Sequence, residues 1–507
     1  MANVVEMKNI TKVFPGVVAN NNVNFALEKG EIHVLLGENG AGKTTLMNQL
    51  YGLYEPTSGE IYINGKLTKI KDPNVAISMG IGMVHQHFML VEPFTVAENI
   101  VLGSEPSRSG GLKLDMDKAI KDVEEISAKY GLKVDPNVKV QDISVGMQQR
   151  VEILKALYRG ADILILDEPT AVLTPQEIDE LGKILRNLTG QGKSIILITH
   201  KLKEVMAMSD RVTVIRRGEK IETLKNENTN TDELAEIMVG RKVNLVVEKD
   251  DKVAGDVVMS VKDLQAVDNR GIPALKGVSF DVRAGEIFAV AGVDGNGQSE
   301  LVEVITGLRK STGGSITLLG KDITNRPTSD VIDAGVSHIP EDRHKRGLVL
   351  QHSLAENSVL GSHKKAPFSK SGVLDYPKIH EFCLGLIDEF DVRTPNEKVA
   401  AKSLSGGNQQ KLIVARELSR NPELLIASQP TRGVDVGAIE FIHKRLVAER
   451  DKNKAVLLVS LELDEVMALA DRIAVVYDGQ IVGVVNGKDA TEKELGIMMA
   501  GGSQKKQ

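Results

Sequence analysis

The chain repeats itself, and that constrains its fold more than any other feature. The segment KGEIHVLLGENGAGKTTL (29–46) aligns with AGEIFAVAGVDGNGQSEL (284–301), so that Gly37 falls on Gly292 at a spacing of 255 residues. The same spacing carries Gln86, in GMVHQHF, onto Glu341, in SHIPEDR. Further along, SVGMQQR (144–150) falls on SGGNQQK (405–411) at a spacing of 261. So do LILDEPT on LIASQPT, and EVMAMSDRVTVIRRG (204–218) on EVMALADRIAVVYDG (465–479). A register kept over about 190 residues requires two homologous domains. The second carries six extra residues between its 341 and 405 positions.

The spacing predicts a first domain at 1–245 and a second at 259–507, joined by a short charged linker, 246–258, within NLVVEKDDKVAGDVV (244–258). In each half, apolar β-branched runs such as ILIL (163–166) and SIILIT (194–199) precede glycine-rich turns and longer helical patterns. That order is the mark of an α/β domain with a largely parallel sheet. Helix-like spacing after 86 and after 341, as in DMDKAIKDVEEISAKYGL (115–132), predicts a helical subdomain in each half.

With 42% apolar and 26% charged residues the composition is that of an ordinary globular protein. A net charge of −6 lacks the basic excess of a nucleic-acid binder, so no nucleic-acid partner is expected. The one cysteine, Cys383, rules out an internal disulfide and reads as a small apolar residue. The N-terminal MANVVEMKNITKVF has no basic flank before an apolar core, so no secretory signal is expected. No apolar run approaches the roughly 20 residues needed to span a bilayer, so any membrane association is expected to go through a partner. The tail GGSQKKQ reads as a short solvated end.

Gly37-Glu38-Asn39-Gly40-Ala41-Gly42-Lys43-Thr44 fits G-x-x-x-x-G-K-[ST] between the strand-like IHVLL and the helix-like TTLMNQL. Glycines let backbone N–H groups curl around phosphates, and the following helix turns its positive end toward them. Lys43 brings a charge to the β- and γ-phosphates, and the Thr44 hydroxyl suits Mg²⁺. At average composition the pattern arises by chance about 0.02 times in such a chain. ILIL followed by Asp167 and Glu168 is a buried strand ending in two acids, one able to hold metal through water and one able to polarise an attacking water. His200, at the end of SIILITH, and Gln86 are weak signals alone: a structural histidine and a polar loop residue are the ordinary alternatives. His85 and His87 flank Gln86, but nothing nearby completes a metal set.

Taken in order, the lysine loop, the glutamine, SVGMQQR, LDEPT and TH resemble the ATP-binding cassette of ABC transporters, and the resemblance covers nearly the whole chain twice. It implies two tandem P-loop NTPase domains, each a RecA-like core with a helical subdomain, and ATP and Mg²⁺ as cofactors. It assigns Gly37, Glu38, Asn39, Gly40, Ala41, Gly42, Lys43, Thr44 and Thr45 to the phosphates. Thr44, Gln86 and Asp167 go to the metal, and Glu168, His200 and Gln86 to catalysis. Phe14, in KVFPG, becomes the aromatic stacked on adenine; a place in the core is its competing role.

In that family two cassettes face head to tail, each ATP lying between one phosphate loop and the other cassette's LSGGQ-type signature. The first loop then meets Ser405, Gly406, Gly407 and Asn408 of LSGGNQQ (404–410), and every part is present. The second loop keeps Gly292, Gly297 and Ser299, but has Gln298 for the lysine and Glu341 for the glutamine. Ser428, Gln429 and Leu461 replace the two acids and the histidine. Its signature, ISVGMQQ (143–149), keeps Ser144 and Gly146 but has Val145 and Met147 at altered positions. The defects of both halves meet in one degenerate site. Thr174 also stands where the family usually has an aspartate between the sites, which Asp435 keeps.

Fused cassettes with one degenerate site resemble the ATP-binding subunits of bacterial importers of monosaccharides and nucleosides, and PEDRHKRGLVL (340–350) is typical of them. HQHFMLVEPFTVAENIVLG (85–103) and LLIASQPTRGVDVGAIEFIHKRL (424–446) are most similar to the nucleoside branch. The resemblance implies two integral-membrane permease subunits, an extracellular lipid-anchored substrate-binding protein, and a peripheral place on the cytoplasmic face of the membrane. The alternatives are the same role for a monosaccharide such as ribose or galactose and, more distantly, a soluble tandem cassette acting on ribosomes.

Overall fold

The computed structural model describes residues 2–86, 88–108, 113–170, 173–242, 247 and 249–502. It divides into two compact units, Met1–Val243 and Asn244–Gln507. His87, the tail beyond Gly502 and the linker positions 246 and 248 lie outside the described residues. The described part of the expected linker is bonded to the second unit. Lys249 Nζ donates to the carbonyls of Leu469 and Ala470, both at 2.9 Å, and Lys252 Nζ donates to Asp451 O at 2.8 Å. Val257, inside the expected linker, already opens a strand of that unit.

Each unit holds two main sheets. The central one in the first unit is six-stranded, in the order Glu219–Lys225, Arg211–Arg216, Ile32–Leu36, Ser194–Thr199, Ile163–Asp167, Ile81–Val84. All its pairs are parallel except Arg211–Arg216 with Glu219–Lys225. The second unit repeats this with Val336–Ile339, Leu424–Ser428, Ala455–Ser460, Ile287–Ala291, Arg472–Tyr477 and Gln480–Asn486. IHVLL, ILILD and SIILIT are buried at every residue, as strands covered on both faces must be. Each large apolar side chain so buried contributes about 1.5–3 kcal/mol.

The other sheet of each unit is antiparallel and four-stranded: Val17–Glu28, Asn3–Phe14, Ser58–Ile63 and Lys66–Thr68 in the first, and Pro273–Arg283, Val257–Val267, Gly313–Leu318 and Lys321–Asp322 in the second. The sequence reading anticipates only the parallel sheet. In VNFALE the apolar residues alternate, Val23, Phe25 and Leu27 inward and Asn24 outward, so no continuous apolar run announces the strand.

The expected helical subdomain is present in each unit. In the first, Met116–Tyr130 covers most of the periodic stretch 115–132; Asp115 caps it by accepting from Lys118 N, and Gly131 closes it in a left-handed conformation. It packs with Val96–Val101 and Val145–Tyr158. Cys383 is buried in the equivalent helix Tyr376–Glu389, where burial pushes its thiol up to about 11. Among the described residues no helix is long and apolar enough to cross a membrane.

Candidate functional site

The loop 37–42 runs from the central strand Ile32–Leu36 into the helix Lys43–Leu50. Gly42 lies at φ 99°, and a Cβ there would strike the carbonyl of Ala19, so only glycine serves. Ala41 N–H donates to Glu38 O at 3.1 Å and closes the turn. Lys43 is 5% exposed, its Nζ donating to Gly37 O at 2.7 Å and Glu38 O at 3.0 Å. Burial lowers its pKa, against the opposing charges of Glu168, Asp167 and Glu38.

The loop is held from behind by two residues that motif reading missed. Asn20 Nδ2 donates to Gly42 O at 3.0 Å, and Gln49 Nε2 donates to Asn20 Oδ1 at 2.9 Å and to Thr45 O at 3.1 Å. Both are fully buried. At the 255 spacing the second half has Leu275 and Val304, an exchange of polar for apolar that flags the pair.

The strand Ile163–Asp167 delivers the acids. Thr44 Oγ1 donates to Asp167 Oδ1 at 3.4 Å, and burial raises the Asp167 carboxyl to about 6 despite that bond. This hydroxyl–carboxylate pair offers two oxygen donors, the chemistry that suits a hard divalent cation. Glu168 turns out of the strand at φ 46°, with its N–H on Ile198 O at 2.9 Å. Its Oε2 accepts from Gln86 Nε2 at 3.0 Å, and its Oε1 meets His200 Nδ1 at 2.9 Å. Burial would raise the Glu168 carboxyl, but the His200 bond and charge, with Lys43 and Lys201, hold it below the usual range. Lys43, Thr44, Gln86, Asp167, Glu168 and His200 thus form one cluster in the first unit.

Behind it, Glu204 accepts from the hydroxyls of Thr170 and Thr199, the latter at 2.8 Å, and so links the segments after Glu168 and before His200. It is 4% exposed, and burial raises its pKa. Phe14 sits apart from the acids, half-buried at the end of its strand. Its ring meets that of Tyr54 edge-on at 5.4 Å. His85 makes an edge contact with Tyr51.

In the second unit the same loop forms without the lysine. Gly297, at φ 101°, repeats Gly42, and Gln298 Nε2 donates to Val293 O at 3.0 Å much as Lys43 does to Glu38 O. Ser299 Oγ and Gln429 Nε2 both donate to Glu341 Oε2, at 3.0 and 3.2 Å. The amide and the carboxylate have exchanged places relative to Gln86 and Glu168. Ser428 is 2% exposed and Leu461 half-buried. Arg309 stands where the first half has Tyr54 and donates to Asn269 Oδ1 at 2.8 Å, so no aromatic pair repeats there.

The signature segments open helices. Ser405 caps Gly406–Ser419, and Asn408 Nδ2 donates to Ser405 Oγ at 2.9 Å. Ser144 caps Val145–Tyr158. At Gly146 an added Cβ would strike the carboxylate of Glu177. Thr174 forms a capping box with Glu177, and Asp435 caps Val436–Asp451.

A family model described as ABC transporter matches residues 20–171 and 275–432. The chain belongs to the ABC transporter family: it is an ATP-binding, ATP-hydrolysing subunit coupled to transport, built of two cassettes. It associates peripherally with the membrane through permease partners. Three curated relatives run nearly the length of the chain. The nucleoside import ATP-binding protein NupA of Lactococcus lactis subsp. cremoris (strain MG1363) is 58% identical over 99% of each chain. The guanosine import ATP-binding protein NupO of Bacillus subtilis (strain 168) is 57% identical over 100% of this chain and 99% of its own. The glucose import ATP-binding protein TsgD13 of Haloferax volcanii is 47% identical over 98% of this chain and 95% of its own.

Proposed function

We propose that this chain hydrolyses ATP at one competent site and thereby energises the uptake of nucleosides. The observation that carries the single-site reading is the cluster of Gln86, Glu168 and His200, bonded at 3.0 and 2.9 Å, against Glu341, Gln429 and Leu461 at the matching positions. Nucleoside as cargo is supported by the 58% and 57% identity to nucleoside and guanosine import subunits, against 47% to a glucose import subunit.

In the competent site Lys43 neutralises the β- and γ-phosphates, and the loop 37–42 cradles them. Thr44, Gln86 and Asp167 are the residues that would hold Mg²⁺, which when bound offsets phosphate charge. Glu168 orients the attacking water and takes up its proton, while His200 and Gln86 fix the two carboxylate oxygens. Phe14 stacks on adenine. Ser405, Gly406, Gly407 and Asn408 close over the γ-phosphate in the family's head-to-tail pairing of domains 1–245 and 259–507. The second loop, lacking lysine charge, metal-holding acid and base, holds nucleotide at most as a clamp. The subunit lies on the cytoplasmic face, with two permease chains and an external lipid-anchored binding protein delivering the nucleoside.

The test is uptake of labelled uridine, adenosine and ribose by cells carrying the wild-type chain or Glu168→Gln. Nucleoside uptake that disappears with the variant supports the reading. Ribose uptake without nucleoside uptake moves the assignment to monosaccharides.

A further inference from the structure

Apart from Glu341, the run PEDRHKRG (340–347) has no part in the site so far, yet nearly every residue in it is engaged. Nine residues after Gln86 the chain reaches the helix cap Thr95, and twelve after Glu341 it reaches the equivalent cap Ser353. Three of the six extra residues of the second half are therefore spent here. The lengthened segment contains the π-type helical turn Arg343–Gly347, which Asp342 caps by accepting from His344 N and Lys345 N, both at 2.9 Å.

That turn joins three elements of the second unit. Arg346 donates to Glu303 on the helix that follows the lysine-less loop. His344 Nε2 bonds Gln409 Oε1 at 3.0 Å, and Gly347 O accepts from Arg416 Nη1 at 2.8 Å, both partners on the signature helix Gly406–Ser419. Arg343 reaches the loop after the degenerate acids: Nη1 donates to Arg432 O at 2.8 Å and Nη2 to Gly433 O at 3.3 Å.

The same guanidinium lies against the signature. A Cβ at Gly406 would meet Arg343 Nη2 at 2.9 Å, and one at Gly407 would meet Asp435 Oδ2 at 2.6 Å. The two signature glycines thus lie against one cation and one anion. The first half shows the alternative. Val145 stands in place of Gly406, so the first half carries a side chain where the second leaves room beside a guanidinium.

We propose that Arg343 is a positioning residue for ATP hydrolysis. It bridges the carbonyls of Arg432 and Gly433 and abuts Gly406, and so seats Ser405–Gly407 against Asp435. Through Glu341, two residues earlier and bonded to Ser299 and Gln429, it ties that seat to the lysine-less loop. The degenerate half thereby sets the geometry of the signature. The inference rests on the reading that this signature completes the competent site. Misplacing such a group by about 1 Å lowers turnover as much as ~100-fold without removing any reacting group.

The experiment compares Arg343→Gln, Arg343→Lys and Ser405→Ala in the full chain assembled with its permeases, with kcat and KM for ATP as readouts. A second readout is ATP affinity in a Glu168→Gln background. Arg343→Gln is expected to lower kcat about tenfold or more while ATP affinity changes less than about threefold. Arg343→Lys keeps the charge but cannot bridge both carbonyls, so it falls between the two. If Arg343→Gln keeps over half the wild-type kcat while Ser405→Ala loses it, the inference fails and the signature reading stands. If neither variant loses activity, the signature reading fails and takes the inference with it. A fall in kcat matched by an equal fall in folded protein means a structural role only and also overturns it.

Discussion

Glu168 and Gln429 stand at the same backbone position of their two halves, each left-handed, at φ 46° and 43°. Each places its N–H on the carbonyl of the neighbouring strand, Ile198 at 2.9 Å and Val459 at 2.7 Å. Each side chain bonds the residue at the other matched position, Glu168 to Gln86 and Gln429 to Glu341. The backbone mould is preserved and only the chemistry has been exchanged.

Glu168→Gln keeps the shape and removes the proton acceptor. Steady-state ATPase assays should show kcat reduced by about 10²- to 10⁴-fold, with nucleotide binding retained. A variant keeping more than half its rate would remove Glu168 from its assigned role.

Gln429→Glu does not restore a second site, because Gln298 still supplies no charge. It sets two carboxylates within hydrogen-bonding distance, a like-charge contact. The variant should melt lower than wild type at pH 7, with a smaller deficit at pH 5, where one carboxyl can hold a proton. A gain in ATPase rate would contradict the account of the degenerate loop.

Lys43→Gln imports the residue of the other half. Gln298 shows that glutamine reaches one loop carbonyl, that of Val293, so the loop should keep its fold while ATP affinity falls at least about tenfold, as measured by titration. Circular dichroism and ATP binding together separate loss of charge from loss of structure.

Glu204→Ala leaves the buried hydroxyls of Thr170 and Thr199 without their acceptor. At about 1–3 kcal/mol for each of the two unsatisfied groups, denaturant unfolding of the variant should show a loss of roughly 2–6 kcal/mol. Glu204→Gln should lose less, since the amide oxygen still accepts one bond.

His338, at the edge of the second unit's parallel sheet, is held at about 4 by burial, with Arg346 and Arg416 adding to that effect and Glu417 opposing it. Its Nε2 has no hydrogen-bond partner, and its backbone N–H donates to Glu417 Oε2 at 3.3 Å. Between the unfolded value near 6.5 and about 4, the unfolded chain binds more protons, so this residue takes stability away as pH falls through that window. The matching position of the first half is Met83, and His338→Met should reduce the loss of Tm between pH 7 and pH 5. An unchanged acid dependence would place its origin elsewhere.

Some of this is legible in one dimension because it is local. A phosphate loop is eight consecutive residues, 37–44, whose glycines and lysine act through their own backbone and the next helix. Periodicity likewise carried the helix Met116–Tyr130 and the buried strands Ile163–Asp167 and Ser194–Thr199, since burial on both faces leaves an unbroken apolar run. The repeat added what no single half could, a position-by-position list of what the second loop lacks.

Other relationships join residues far apart in the chain, and no spacing rule reports their bonds. Asn20 and Gln49 are 29 residues apart and lock the loop from beneath; each looks like an ordinary polar residue until the fold buries it. Glu341 and Gln429, 88 apart, read in sequence as two separate losses. Folding joins them in one hydrogen bond, because parallel strands bring their C-terminal ends to the same edge of the sheet. Residue identities and register were settled along the chain, through patterns each segment carries alone. Which donor met which acceptor was settled by packing, because a side chain's partner is chosen by distance in space.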